Sequence, residues 1–573
     1  MIKTLFSRVR QYKKYAIITP ISMIGEVAME VLIPTLMALI IDKGVANGDM
    51  AYIWKMSLYL VGAAFMALTF GVLSARMGAT ASAGFATNLR HDIYEKVMDF
   101  SFKDIDRFSV SSLITRMTTD VQNVQNSFQM AIRMAFRSPV MLIFAIIMVI
   151  RNGSELAAVF AIAIPVIICG IILTFSLTKK YFERAFKGFD KFNRVVQENL
   201  NGIRTVKAYV REEVEEDKFR ESAENIKYNF SKGQKIMAAT HPVIMLISYT
   251  CMIAISYLGA KIINVGNMET GELMSIYTYT GQILSSLIMT GMIIIMFSIS
   301  WPSMKRIAEV LESEISMDLN EDGIKSVPDG SVSFKNVDFA YKEGKNVLKN
   351  INLDIKSGET VGILGTTGSG KTTLISLIAR LYDVTSGSLC VGGIDVKDYN
   401  VHALRDAVSV VLQKNTLFSG TIAENLRWGD MNGSLEKMEE VAKHASAFGF
   451  ISEKENGFDS RVEQGGSNFS GGQKQRLTIA RALMKEPKIL ILDDSTSAVD
   501  TATDRSIREA LNKSVKGMTK IIISQRISSI EDADKIVIMN KGEIEAVGTH
   551  DELIKTNEAY RDLYETQTRG ANG

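Results

Sequence analysis

Hydrophobic positions divide the chain into two unlike halves. In the first 300 residues they gather into six long runs, near Ala16–Ile41, Ile53–Ala75, Met134–Ile150, Leu156–Leu177, Ile236–Ala260 and Leu273–Ser300. A helix needs about 20 apolar residues to cross a bilayer, so the runs predict six membrane-spanning helices rather than the buried helices of a soluble core. The last run closes at Trp301-Pro302, and Ser303–Asp329 reads as a polar, partly helical linker. From Gly330 onward the pattern shortens. Val332–Tyr341 alternates as a strand, and the apolar runs Thr360–Leu364, Val408–Gln413 and Ile489–Asp494 predict buried strands. The expected architecture is a polytopic α-helical membrane domain, residues 1–302, then a linker, 303–329, then an α/β domain, 330–573.

Charge orients the helical half. Lys3, Arg8, Arg10, Lys13 and Lys14 precede the first run, and the long segments Arg76–Arg133 and Thr178–Lys235 are rich in basic residues. The short turns Asp42–Ala51, Arg151–Glu155 and Ile262–Glu272 hold only Lys43 and Arg151. Positive charge stays on the cytoplasmic side, which places the N-terminus, both long segments and the C-terminal domain in the cytoplasm of a cell whose plasma membrane holds the spans. The basic start carries no small-residue cleavage site, so the first run is expected to remain as an anchor.

Arg76–Phe100 lacks proline and, as helix, runs about 38 Å at roughly 1.5 Å per residue. Spans that continue past the membrane, turn and return can transmit force to a soluble domain. The turns fall near Lys103–Phe108 and Tyr209–Lys218, the second reading either as a surface contact or as a solvated helix face. Glu26 and Glu30 lie one helical turn apart in the first run. They form either a cavity that attracts cationic amphipathic solutes or a carboxylate pair satisfied by a neighbouring helix. Methionines recur in the spans (Met23, Met29, Met37, Met66, Met245, Met252, Met289, Met292, Met296); they suit an adaptable surface and equally serve as apolar filler.

Composition adds little beyond exclusions. A net charge of +2 gives no reason to expect a nucleic-acid partner. Cys169, Cys251 and Cys390 are far apart, and neither they nor the five histidines show the spacing of a metal site.

The chemistry lies in the second half. Gly365-Thr366-Thr367-Gly368-Ser369-Gly370-Lys371-Thr372 reads G-x-x-x-x-G-K-T between an apolar strand and a helix opening at Thr373. Glycines allow backbone N–H groups to turn inward around a polyphosphate, Lys371 reaches the outer phosphates, and the Thr372 hydroxyl suits Mg²⁺. Tyr341 ends the first strand where it can stack on adenine, and Gln413 follows a strand where its amide can meet the metal or the attacking water. Asn468-Phe469-Ser470-Gly471-Gly472-Gln473 precedes a helix and can present donors to a γ-phosphate. Asp493 ends a buried strand and should hold Mg²⁺, directly or through water; Asp494 and then Ser497-Ala498-Val499-Asp500 follow.

Gly365–Thr372, Gln413, Ser470–Gln473, Asp493 and Asp500 resemble the Walker A, Q-loop, signature, Walker B and D-loop of ABC (ATP-binding cassette) ATPases. With six spans ahead of the cassette, the chain resembles one half of an ABC exporter. The resemblance implies two such halves with domain-swapped helices, coupling helices at the cytoplasmic turns, and two ATP molecules held head-to-tail, each between one half's Walker motifs and the other's signature.

Two positions depart from that pattern. Asp494 stands where the family has a water-polarising Glu, and Gln525 where it has a switch His. Asp is about 1.5 Å shorter in reach, and losing a positioned base lowers rate by roughly 10²–10⁴. Gln donates a hydrogen bond but carries no charge. Both changes together resemble the degenerate-site subunit of heterodimeric bacterial multidrug exporters, whose partner, a second homologous half-transporter, supplies the competent Walker site. Arg461–Gly466 lies where exporters have a loop against the coupling helices, with altered residues. The rivals are a homodimer in which Asp494 is a slow but working base, and an ATP-sensing membrane regulator that does not transport; an importer subunit fits poorly, since those cassettes are usually separate chains.

Overall fold

The computed structural model describes residues 1–341, 344–493, 501–514 and 517–571. By compactness the chain forms two units, one of Met1–Met98 with Ser111–Ser313, the other of Asp99–Val110 with Glu314–Gly573.

The first unit is helical. Its long members are α1 (Lys13–Leu39), α2 (Met50–Met98), α4 (Val121–Asn152), α5 (Ala157–Asn201), α7 (Glu212–Val265) and α8 (Thr270–Glu312). Among the described residues these provide six helices long and apolar enough to cross a membrane, matching the six runs of the sequence. Only 6–28% of each apolar window is buried within the protein, leaving side chains such as Trp54, Leu58, Phe65, Ile162 and Leu246 outward for lipid. The chain is a multi-pass membrane protein. Helix α1 packs on α2, α4 and α8, while α5 packs chiefly along α7.

Helix α8 continues through Pro302 to Glu312, so the last run and the first part of the linker share one helix; a proline removes one internal hydrogen bond and neighbouring contacts sustain the helix. One local expectation changes. The turn expected near Tyr209–Lys218 falls earlier in the chain. A short helix α6 (Ile203–Ala208) and the residues to Arg211 make the turn, and Glu212–Lys218 already opens α7, where Glu212, Glu213 and Glu215 favour a helix N-terminus.

The ionisable pair in α1 is held from α4, with Glu26 Oε2 buried and without a hydrogen-bond partner among the described residues. Arg137 Nη1 donates to Glu26 Oε1 at 2.6 Å and Nη2 to Glu30 Oε1 and Oε2 at 2.7 and 2.8 Å. Of the two readings of Glu26 and Glu30, the arrangement is that of carboxylates held by a neighbouring helix. Gly71 of α2 makes room for them, since a Cβ there would lie 3.2 Å from Glu26 Cδ. Lower on α2, His91, Asp92 and Glu95 bring ligand-type atoms within 4.8 Å, but Arg8 and Arg10 already hold Asp92 at 2.8 and 3.0 Å.

The second unit is α/β. Strands β1 (Val332–Phe339), β2 (Leu348–Ile355), β4 (Ser386–Val391) and β5 (Ile394–Asp395) form an antiparallel sheet in the order β2-β1-β4-β5. Strands β3 (Thr360–Gly365), β6 (Val408–Val411), β7 (Ile489–Asp493), β8 (Thr519–Ile523), β9 (Lys535–Asn540) and β10 (Glu543–Gly548) form the larger sheet, ordered β10-β9-β3-β8-β7-β6. Every neighbouring pair in it is parallel except β9–β10. Its central strands are buried on both faces, which explains their unbroken apolar runs.

The short helix α3 (Phe102–Phe108), from the first predicted cytoplasmic turn, belongs to this unit. Ser101 and Asp104 form its capping box, and Asp104 Oδ2 also accepts the Ser316 N–H at 3.1 Å. Burial pushes the Asp104 carboxyl upward, but the hydrogen bonds from Ser101 and Ser316 prevail and hold it below the usual range.

Candidate functional site

Parallel pairing brings four strand ends to one edge. Ile523 of β8 stands beside Ile363 of β3 and Asp493 of β7, and Val411 of β6 beside Leu492 of β7. Just past these ends come the glycine loop after β3, Ser524 and Gln525 after β8, Asp493 at the tip of β7, and Gln413 two residues beyond β6. Ligands of such sheets sit at this carboxyl edge. Gln413 follows a strand that ends at Val411, not at the glutamine itself, because Leu412 already turns out to solvent.

The loop between β3 and α9 (Lys371–Ile378) is shaped by its glycines. Gly368 and Gly370 adopt φ of +83° and +100°, and a Cβ at Gly370 would meet Leu348 Cδ2 at 2.7 Å. The Lys371 side chain is buried and arches back over the loop, donating to the Gly365 and Thr366 carbonyls at 2.8 Å each. Ser369 Oγ lies 3.5 Å from the same Nζ. The first N–H groups of α9 add the positive end of its dipole. Beside them Thr372 Oγ1 donates to Asp493 Oδ2 at 3.0 Å, on a carboxylate only 4% exposed. A loop of inward amides, a lysine, and a buried hydroxyl–carboxylate pair have the donor chemistry of a polyphosphate with a hard divalent cation, so these residues fit a nucleotide and Mg²⁺.

Tyr341 is half-exposed beyond the end of β1. Its hydroxyl shares a 3.0 Å hydrogen bond with Thr373 Oγ1, and its ring stands edge-on to Phe339 and Tyr382, at 4.9 and 5.2 Å. The ring is therefore fixed in orientation, with a cleft of about 600 Å³ alongside lined by Lys103, Tyr341, Tyr382 and Thr385. The Tyr382 hydroxyl donates to Asp106 Oδ2 of α3 at 2.7 Å. Burial and then the Asp106 carboxylate push its pKa upward, so it stays a donor throughout the physiological range.

The signature residues stand apart from this cluster, at the start of α10 (Gly471–Met484). Ser470 Oγ accepts the Gln473 N–H at 3.3 Å, and Gln473 Oε1 accepts the Ser470 N–H at 3.0 Å, a reciprocal cap. Ser470 and Gly471 are exposed, with Gly472 and Gln473 half-buried. Asn468 braces the preceding loop, its Nδ2 donating to the Arg461 carbonyl at 2.8 Å and its Oδ1 accepting the Glu463 N–H at 3.1 Å. Gln525 is exposed on the loop after β8. Asp494 and Asp500 lie outside the described residues.

Sequence reasoning passed over Tyr382 and Asp106. A tyrosine closing the helix after the glycine loop, and an acid inside the predicted turn, were the only signals, and neither announces its partner.

The comparisons with known proteins agree with this geometry. The family described as "ABC transporter transmembrane region" matches residues 16–287, and the one described as "ABC transporter" matches residues 348–497. An uncharacterized ABC transporter ATP-binding protein of Bacillus subtilis, YfiB, is 35% identical over 98% of both chains. One of Mycobacterium tuberculosis, Rv1273c, is 33% identical over 100% of this chain and 99% of its own. The solved structure of a bacterial Atm1-family ABC exporter with ATP bound superposes with a TM-score of 0.82 over 98% of each chain, at 22% identity. The chain belongs to the ABC transporter family, as an ATP-driven half-transporter of the exporter layout with its six-helix membrane domain and its ATP-binding domain in one polypeptide.

Proposed function

We propose that this chain is the degenerate-site half of a heterodimeric exporter that moves amphipathic compounds out across the cytoplasmic membrane. The observation that carries the reading is a contrast within one site. The phosphate loop and the Thr372–Asp493 pair are fully built, while the base and switch positions hold Asp494 and Gln525. Such a site retains ATP and turns it over slowly.

In this reading Tyr341 stacks on the adenine, Gly365–Gly370 surround the phosphates, Lys371 bonds their outer oxygens, and Thr373 steadies the tyrosine. Thr372 and Asp493 hold Mg²⁺, with Gln413 at its edge. The metal, when bound, supplies positive charge to the phosphates. Asp494 is a weakened base, Gln525 a neutral donor, and Asp500 a contact across the dimer. Ser470–Gln473, whose leading residues Ser470 and Gly471 are exposed in this chain, complete the partner's competent site, where hydrolysis resets the transporter. The pairing of α5 chiefly with α7 suits a two-helix arm that crosses to the partner. The hold of Arg137 on Glu26 and Glu30 lowers the support for a strongly cation-seeking cavity, and leaves an apolar, methionine-bearing surface as the binding surface for substrate.

Purification of the tagged chain from its native membrane, followed by intact mass measurement, tests the reading. A second half-transporter in equal amount, bearing Glu and His at the positions of Asp494 and Gln525, is the expected result. A complex of this chain alone, with robust ATPase activity abolished by Asp494→Asn, overturns it in favour of a homodimer. ATP-dependent uptake of amphipathic dyes into inside-out vesicles of the complex distinguishes a transporter from a regulator.

A further inference from the structure

The loop after β8 is held from the far end of the chain. Ser524 leaves the sheet with its N–H on the Ile363 carbonyl at 3.3 Å, and its Oγ accepts the Arg526 N–H at 3.0 Å. Ile527 is buried, so both ends of the loop are anchored while Gln525 and Arg526 are exposed. Two backbone groups of the exposed stretch go to a single side chain. Gln567 Nε2 donates to the Gln525 carbonyl at 2.8 Å, and the Ile527 N–H donates to Gln567 Oε1 at 2.9 Å. A primary amide carries a donor and an acceptor side by side, so it can close both bonds at once.

Gln567 is itself well placed to act as a brace. It lies on α11 (Glu558–Ala571), whose Tyr560 is 1% exposed and shares a 2.7 Å hydrogen bond with His550 Nδ1. The Tyr564 ring meets His550 at 5.0 Å. Tyr560, Tyr564 and Gln567 recur at helical spacing on one face, so the face that anchors the helix also aims the amide at the loop.

We infer that Gln567 is a positioning residue for the ATP site: by fixing the backbone on both sides of Arg526 it sets how the Gln525 side chain leaves the carboxyl edge of the sheet, two residues past the Ile523 that pairs with Ile363 and Asp493. The inference rests on the reading of that sheet edge as the ATP site. The Gln525 amide acts on the outermost phosphate, so the brace matters for a triphosphate and not for a diphosphate. Lys371 also reaches the outer phosphates, but it is oriented by its own loop, through the Gly365 and Thr366 carbonyls, and does not depend on the brace.

The test uses the purified membrane complex. Backbone hydrogen exchange in peptide Gly365–Thr372 follows occupancy of this chain's own site, titrated with ATP and separately with ADP. Gln567→Ala should weaken ATP binding about 3- to 10-fold, leave ADP within about 2-fold, and speed exchange at the Ile527 amide at least about 10-fold. Gln567→Glu keeps the acceptor for Ile527 but loses the donor to Gln525, and should fall between. Equal weakening of ATP and ADP overturns the inference and makes Gln567 a contact of the fold alone. Faster Ile527 exchange with unchanged ATP binding overturns it too, since loop placement then has no effect on the nucleotide. Lys371→Ala is the control: undiminished ATP protection of the peptide in that variant overturns the site reading itself, and the inference with it.

Discussion

At the scale of single residues, the site is a set of short polar contacts that a nucleotide must rearrange. Lys371 spends its hydrogen bonds on the Gly365 and Thr366 carbonyls, so it is already oriented over the loop that will receive phosphate. A hydrogen bond to a charged group is worth about 1.5–3 kcal/mol, which sets the scale for its removal. Lys371→Ala is expected to weaken ATP binding roughly 10- to 150-fold, measured by nucleotide protection of the loop in hydrogen exchange. Asp494 and Gln525 make the opposite prediction. Asp494→Glu restores the reach of the carboxylate, and combined with Gln525→His should raise ATP turnover at this chain's own site by about 10²-fold, measured in a complex whose partner site is inactivated by replacing its catalytic Glu with Gln. Unchanged turnover of that complex in the double variant would remove the case for a degenerate site.

At the scale of elements, half-buried charge ties helices together. The Arg137 guanidinium of α4 serves both Glu26 and Glu30 of α1. Removing one member of a fully buried ion cluster leaves charge uncompensated and costs about 3–5 kcal/mol, an upper bound for this half-buried one, whereas replacing all members by neutral side chains is far milder. Arg137→Ala should therefore lower the melting temperature of the detergent-solubilised protein clearly, and the triple variant Glu26→Gln/Glu30→Gln/Arg137→Gln should recover most of the loss. Equal destabilisation of both would show that packing, not charge, holds α1 on α4. The second element-level contact is Tyr382 on Asp106. Tyr382→Phe deletes one bond, about 0.5–1.5 kcal/mol, and leaves Asp106 to water. Faster hydrogen exchange of residues 102–108, with ATP affinity nearly preserved, is the expected outcome.

At the scale of the whole molecule, the distribution of basic residues predicts the orientation in the bilayer. Asn47 lies in a turn poor in basic residues and Glu213 in a segment rich in them. In a background lacking Cys169, Cys251 and Cys390, Asn47→Cys should react with an impermeant maleimide on intact cells, and Glu213→Cys only after lysis. The reverse pattern would invert the topology and, with it, the direction of transport.

Much of this was legible in the chain. Hydropathy runs of bilayer length determined the six spans, because every apolar residue of such a helix must find lipid or protein and none can be spared for loops. The glycine loop, Lys371, Thr372 and Asp493 were legible because phosphate chemistry restricts residue type and spacing together. What the sequence left open were pairings between distant residues. Glu26 and Glu30 could face substrate or a neighbour until Arg137, more than 100 positions away, was seen between them. The sequence read Ser303–Asp329 as partly helical, without showing that α8 runs unbroken through Pro302 to Glu312. The ties Tyr382–Asp106 and Gln567–Gln525 have no local signature at all. Periodicity and motif spacing are properties of a segment, whereas an ion pair or a side-chain brace depends on which segments the fold brings within about 3 Å of one another, and only the tertiary structure decides that.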